Sequence, residues 1–152
     1  MTPLRPLLLA AVLLGTLTPA FAQESAPTDA AFVGELMAFH GSRAIVDVMT
    51  THCYETTGLD GAYRTTYDNW YLRNIGFLDL ANRVARQLGG GTEEEIVAAE
   101  TYGGTQIMSA YNQADDKSSF CTAFRERVDA GELDIDKQLP EALRRAQQIA
   151  AQ

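Results

Sequence analysis

Three polar side chains fall on faces whose other members are apolar: His52, Asn74 and Glu100. An imidazole, a carboxamide and a carboxylate together could move a proton or hold a small polar ligand. His52 follows Ile45 and Met49 at helical spacing, Asn74 stands inside an aromatic stripe, and Glu100 lies beside Ile96 and Gly103. Burying any of them unpaired costs roughly a few kcal/mol, so each must find a partner or reach water. If they converge, Tyr67, Trp70 and Tyr102 would line a small polar pocket around them. The simpler expectation is that each is satisfied alone: His52 by a carbonyl, Asn74 as a register-setting core group, Glu100 by reaching solvent. These six residues are the candidate binding set.

Other chemistries find little support. The chain has two histidines, His40 and His52, and neither a His-Glu-x-x-His nor a Glu-x-x-His pattern. His52, Cys53 and Glu55 are close in sequence, but Cys53 is expected to be oxidised. No metal and no cofactor is therefore expected. There is no Gly-x-Ser-x-Gly, and Gly89-Gly90-Gly91 runs into Thr92 and three glutamates that would repel a phosphate. No catalytic residue is singled out. Tyr63, Tyr67, Tyr71, Tyr102 and Tyr111, with Trp70, are the compositional oddity. At helical spacing such a stripe is core, or else an amphipathic groove in which tyrosines anchor a ligand or peptide. Arg64 and Arg73 flank it and read as surface cations.

The elements that would position these side chains are helices. Phe32, Leu36 and Phe39 recur at spacings of four and three, and after Gly41 the stripe shifts to Ile45, Met49, His52 and Cys53. A helix over 29–40, a break at Gly41 and a second helix over 43–56, capped by Ser42 and ended by Gly58, account for that shift. Tyr63, Tyr67, Trp70, Asn74, Phe77, Ala81, Val84 and Leu88 then mark one long helix, widened by Tyr71, Ile75, Leu78 and Ala85. Asp60 is its expected N-cap and the triple glycine its stop. Thr92 with Glu95 forms a capping box for the next helix. Its face includes Ala99 and Gly103, small enough for another helix to approach, and Gly103-Gly104 is a place for a kink. Asp115-Asp116 opens a helix through Phe120, Cys121, Phe124 and Val128 to Gly131, and Pro140 opens the last, along Leu143, Ala146 and Ala150. The fold class is an all-α, single-domain antiparallel bundle of four to six helices over 29–152.

Residues 1–22 read as a secretory signal peptide. Arg5 precedes the apolar run Leu7 to Leu14, and Ala20-Phe21-Ala22 supplies a small-x-small ending. Residues 23–28 read as a disordered leader. No membrane span is expected once the signal is cleaved, because the apolar run falls short of the ~20 residues needed to cross. An export route places Cys53 and Cys121 where thiols oxidise, and two cysteines allow one intramolecular pairing. The chain carries 12 Lys plus Arg against 20 Asp plus Glu. The first 22 residues hold one of those cations and none of the acids, so the remainder has a net charge of −9. That argues against nucleic acid and suits a basic partner protein. The expected function is an exported, periplasmic or secreted, non-catalytic binding or protein-interaction domain. A narrower form is an immunity or inhibitor protein against a secreted toxin. The rival from another class is a small-ligand-binding or enzymatic domain built on His52, Asn74 and Glu100.

Overall fold

The computed structural model describes residues 29–57 and 61–152. Residues 1–28, read above as a signal and leader, and Gly58 and Asp60 lie outside the described residues. Six helices are described: α1 (Asp29–Thr57), α2 (Ala62–Gln87), α3 (Glu93–Gln113), α4 (Lys117–Asp129), α5 (Ile135–Gln138) and α6 (Pro140–Ala150). No strand occurs among the described residues. The protein is an all-α bundle closed by the Cys53–Cys121 disulfide.

One helix replaces the two expected over 29–56. α1 passes through Gly41 without a break. A glycine inside a helix costs about 1 kcal/mol of propensity, and the compensation here is close packing. A Cβ on Gly103 of α3 would lie 2.9 Å from the carbonyl carbon of Gly41, and one on Gly41 would lie 3.1 Å from the Ala99 carbonyl oxygen. The two helices meet backbone to backbone, as the small residues Ala99 and Gly103 foretold. α3 is likewise uninterrupted at Gly103-Gly104. Ser42 caps nothing; its hydroxyl donates to the Ala38 carbonyl at 3.2 Å, inside the helix. The change of phase along α1 is a change of neighbour. Phe32 lies beneath Arg145 of α6, 3.9 Å from guanidinium to ring centroid. Cys53, further along the same helix, is bonded to Cys121 of α4.

α1 and α2 run antiparallel. His40 of α1 meets Asn82 of α2, while Tyr54 meets Arg64. α3 runs with α1: Gly41 faces Gly103, and further on His52 meets Tyr111. α1 therefore has α2 on one flank and α3 on the other. The core beneath gathers Trp70, Tyr63, Phe32, Phe39, Leu36 and Met49, all essentially inaccessible. Tyr63, Trp70, Asn74, Ala81 and Val84 of the α2 stripe are buried as its spacing implied, but Ile75 is exposed. Leu78 and Ala85 are buried and widen the stripe on the expected side, and Thr66 and Leu80 widen it on the other as well. Thr66 can be there because its hydroxyl donates to Asp129 of α4 at 3.0 Å.

The helix ends follow local chemistry. Gly89 and Gly91 stop α2 at φ of 84° and 73°, angles that favour glycine. Thr92 and Glu95 form the reciprocal capping box of α3. Asp116 caps α4 by accepting from the Ser119 N–H at 2.9 Å. Gly131, at φ 75°, turns the chain into α5, a single turn that the apolar periodicity did not mark.

Gly103→Ala should lower stability by about 1–3 kcal/mol, because its methyl group meets backbone that cannot move aside. Gly76→Ala, in open space within α2, should instead raise it by about 1 kcal/mol. Urea unfolding of the two variants checks this; equal effects would mean the helix crossing is not tight.

Hydrogen bonds to the charged forms hold two carboxyls below their ordinary values. The Thr92 N–H acts on Glu95, ordinarily 4.5, and the Ser119 N–H acts on Asp116, ordinarily 3.8. A folded value below the unfolded one gives stability that is present above the unfolded value and lost as pH falls through the folded one. The stability gap between wild type and Glu95→Gln should thus be constant at neutral pH and close below pH 4.5. That between wild type and Asp116→Asn should close below pH 3.8. Thermal melts across an acid series read both.

Candidate functional site

Asn74 is fully buried in the middle of α2, and its carboxamide is spent on the chain after α4. Its Oδ1 accepts from the Ile135 N–H at 2.8 Å, and its Nδ2 donates to the Trp70 carbonyl at 2.8 Å and to Asp134 at 3.1 Å. One turn earlier the Trp70 indole N–H donates to the Leu133 carbonyl at 2.9 Å. Arg73 completes the set: its guanidinium grips both Asp134 oxygens at 2.9 and 3.0 Å and the Val128 carbonyl at 2.8 Å. Arg73 is thus a clamp on the end of α4, not a free surface cation. Asn74 fixes a connection, where the sequence suggested a helix register.

Glu100 lies on the opposite flank of α1. It accepts from Arg43, and its carboxylate stands 3.7 Å from His40 Nδ1. His40 Nε2 is bonded to Asn82 Oδ1 at 2.8 Å, with the imidazole only 6% exposed. This buried histidine escaped the sequence reading because it was placed at a helix end beside Gly41. Inside a continuous helix it lies four residues after Leu36 and belongs to the core face.

His52 is in a third place. Its ring meets Tyr111 edge-on at 4.5 Å, and Tyr111 in turn meets Phe120 of α4 at 5.7 Å. No carbonyl partners it: Nε2 is buried without a hydrogen bond among the described residues. Trp70 is wholly buried and belongs with Asn74. Tyr102 is 66% exposed, its hydroxyl accepting from Gln106, on the rim of an apolar groove between α1 and α3. The structure does not bring His52, Asn74 and Glu100 together, and Tyr67, Trp70 and Tyr102 do not enclose them.

The concave surface lies on the exposed side of α1, toward its C-terminal end. Asp47, Thr51 and Glu55 form a ridge there at helical spacing of four. On the α2 side it borders a hollow of about 390 Å³ walled by Tyr54, Arg64, Tyr67 and Asp68. On the α3 side the same three residues border a second hollow of about 320 Å³ with Val48, His52 and Met108. Val48 and Met108 continue into a third, wider hollow of about 630 Å³ along α3. The hollows adjoin through shared lining residues, and with the ridge that separates the first from the other two they are termed the trough. Arg64 lies over the Tyr54 ring at 4.8 Å. Tyr67 and Tyr71 stack at 6.1 Å. Burial first, and the neighbouring Asp47 carboxylate second, hold the Tyr67 hydroxyl above its ordinary value. Of the expected candidates, Tyr67 and His52 touch this trough, and Glu100 lies at its far end. Asp47, Thr51 and Glu55 were missed, because polar residues on an exposed helix face carry no signal that separates a working surface from a solvated one.

Among the described residues, no three His, Cys, Asp or Glu side chains converge as a metal ion would need. No described helix is long and apolar enough to cross a membrane. The class the fold defines is a disulfide-closed helical bundle. Comparison with protein-family models, with curated proteins and with solved structures finds no match.

Asn74→Leu keeps the branched shape, with bulkier methyl groups, but strips the Ile135 N–H of its acceptor inside the core. A buried donor left unpaired costs about 1–3 kcal/mol. The variant should unfold at lower urea and be cut faster by protease between residues 130 and 139; an unchanged cleavage pattern would show that Trp70 and Arg73 hold the connection without it.

Proposed function

We propose that the chain is an exported, non-catalytic binding domain that engages a partner protein through the trough on α1. The observation that carries this reading is that two hollows flank the line of Asp47, Thr51 and Glu55 and that the second continues through Val48 and Met108 into a third. The surface is open, spans three helices and has aromatic, apolar and charged components, the composition of a recognition face. The buried His40, Thr66 and Asn74, by contrast, are engaged in holding parts of the chain to one another. The enzymatic or small-ligand alternative needed His52, Asn74 and Glu100 to meet, and they stand apart: Asn74 holds the Ile135 N–H, Glu100 holds Arg43, and the His52 ring faces Tyr111. Export is supported by the signal-like pattern of residues 1–22 and fits the buried disulfide. The working surface is narrower than the aromatic stripe from Tyr63 to Phe77. Of that stretch only Arg64, Tyr67 and Asp68 line the first hollow.

Two measurements in the source organism test this. N-terminal sequencing of protein from the extracytoplasmic fraction should begin at Gln23, with no free thiol. A photo-crosslinking residue at Thr51 should give discrete adducts that are missing when the same residue stands at Gln87, exposed at the far end of α2. An uncleaved chain in the cytoplasm, or identical adducts at both positions, would overturn the reading.

A further inference from the structure

We infer that the trough takes a basic amphipathic segment of a partner protein, its cations over the α1 ridge and its apolar side chains against α3. This rests on the interaction reading above and gives it a partner chemistry. The charge pattern supplies half the argument. Asp47, Glu55 and Asp68 make no salt bridge among the described residues, unlike Glu100, which Arg43 holds. The cation on the first hollow, Arg64, is turned onto the Tyr54 ring at 4.8 Å. An alkyl guanidinium therefore already rests against the aromatic wall, as a partner's arginine or lysine would against Tyr67. Three unpaired carboxylates against one guanidinium leave this stretch complementary to positive charge.

The other half is apolar. Across the ridge, Val48 and Met108 are shared by both hollows on the α3 side. Methionine is unbranched and adapts its shape, which suits it to receive a partner's aliphatic side chain. A row of carboxylates with an aromatic hollow on one side and an apolar one on the other matches a segment with cations on one face and apolar residues on the next. A polyanion would be repelled. A second copy of residues 23–152 would bring 20 acids against 11 cations, Arg5 having gone with residues 1–22, onto the same ridge. The chain's own residues Gln23 to Thr28 carry Glu24 and no cation. Neither supplies the matching charge.

The test uses the oxidised mature chain, residues 23–152, and three fluorescein-labelled synthetic peptides. One places lysine and leucine at amphipathic helical spacing, the second replaces every lysine by glutamate, and the third replaces every leucine by serine. Anisotropy titrations at low and at physiological salt should show binding of the first peptide only. The triple variant Asp47→Asn, Glu55→Gln, Asp68→Asn should weaken that binding about tenfold. The equally neutralised variant Glu35→Gln, Asp79→Asn, Glu126→Gln, with its changes on exposed helix faces elsewhere, should change it by less than about twofold. Met108→Ser should weaken binding with charge unchanged. All variants alter exposed or half-buried groups, and circular dichroism confirms that they fold. Equal losses in the two triple variants would reduce the effect to net charge and overturn the inference. So would equal binding of the serine peptide, which would point to a simple polycation. Position-specific adducts at Thr51 together with either result would remove the partner chemistry while leaving the interaction reading standing; loss of the adducts would remove both.

Discussion

The contact between the backbones of Gly41 and Gly103 sets the arrangement of the bundle. α3 has only two buried residues, Gly103 and Tyr111, with Ile96, Ala99, Ile107 and Met108 half-buried against the core, a thin apolar face for attaching a helix of 21 residues. Close approach does that work. With no side chain between them the helices exchange backbone and Cβ contacts along their shared direction, and many small dispersion gains accumulate. The same contact explains why α1 tolerates a glycine at its centre. The helix gives up about 1 kcal/mol of propensity at Gly41 and gains a neighbour that a larger residue would hold off.

With α3 on one flank of α1 and α2 on the other, the remaining elements close the structure from below and at the ends. The disulfide joins α1 to α4 across 68 residues of sequence, which in the chain-entropy model restricts the unfolded chain by ~4 kcal/mol. Asn74, Trp70 and Arg73 bind the connection between α4 and α6 to the side of α2. These are different solutions to one problem. A helix face can be buried by matching apolar stripes, but the chain between helices carries N–H and C=O groups that must be satisfied where it enters the core. Here α2 provides the partners from its own side chains.

This division explains what the sequence could and could not reveal. Periodicity and capping chemistry are local, so the α2 stripe, its glycine stop, the Thr92–Glu95 box, the Asp116 cap and Pro140 at the start of α6 were all readable. The cysteine pairing was readable because only one was available within the chain. Gly41 was misread because a glycine in a helical pattern looks the same whether it ends the helix or admits a neighbour; the two differ only in what lies opposite, and Gly103 is 62 residues away. Asn74 was correctly seen as a buried polar group, but its partners Asp134 and Ile135 lie in a segment with no periodic signal. His40 was lost through the same error as Gly41. The candidate site was the least readable part. Its ridge residues are ordinary surface types, and the trough depends on which helices stand beside α1.

The trough is in turn a consequence of that packing. α1 is flanked by α2 and α3 and has α4 and α6 against its buried side, which leaves the line of Asp47, Thr51 and Glu55 uncovered. A polar line is the expected content of an uncovered helix face, and solvation alone would explain it if the flanks were also polar and closed. They are neither. Tyr67 is half-buried there with its hydroxyl held above the ordinary value by burial and by Asp47, and Val48 and Met108 leave apolar surface open on the other flank. Aromatic and thioether groups beside unpaired carboxylates are what the proposed recognition face is built from, and that face exists because α2 and α3 stand on either side of α1. The proposed surface role thus depends on the same helix crossing that holds the fold together.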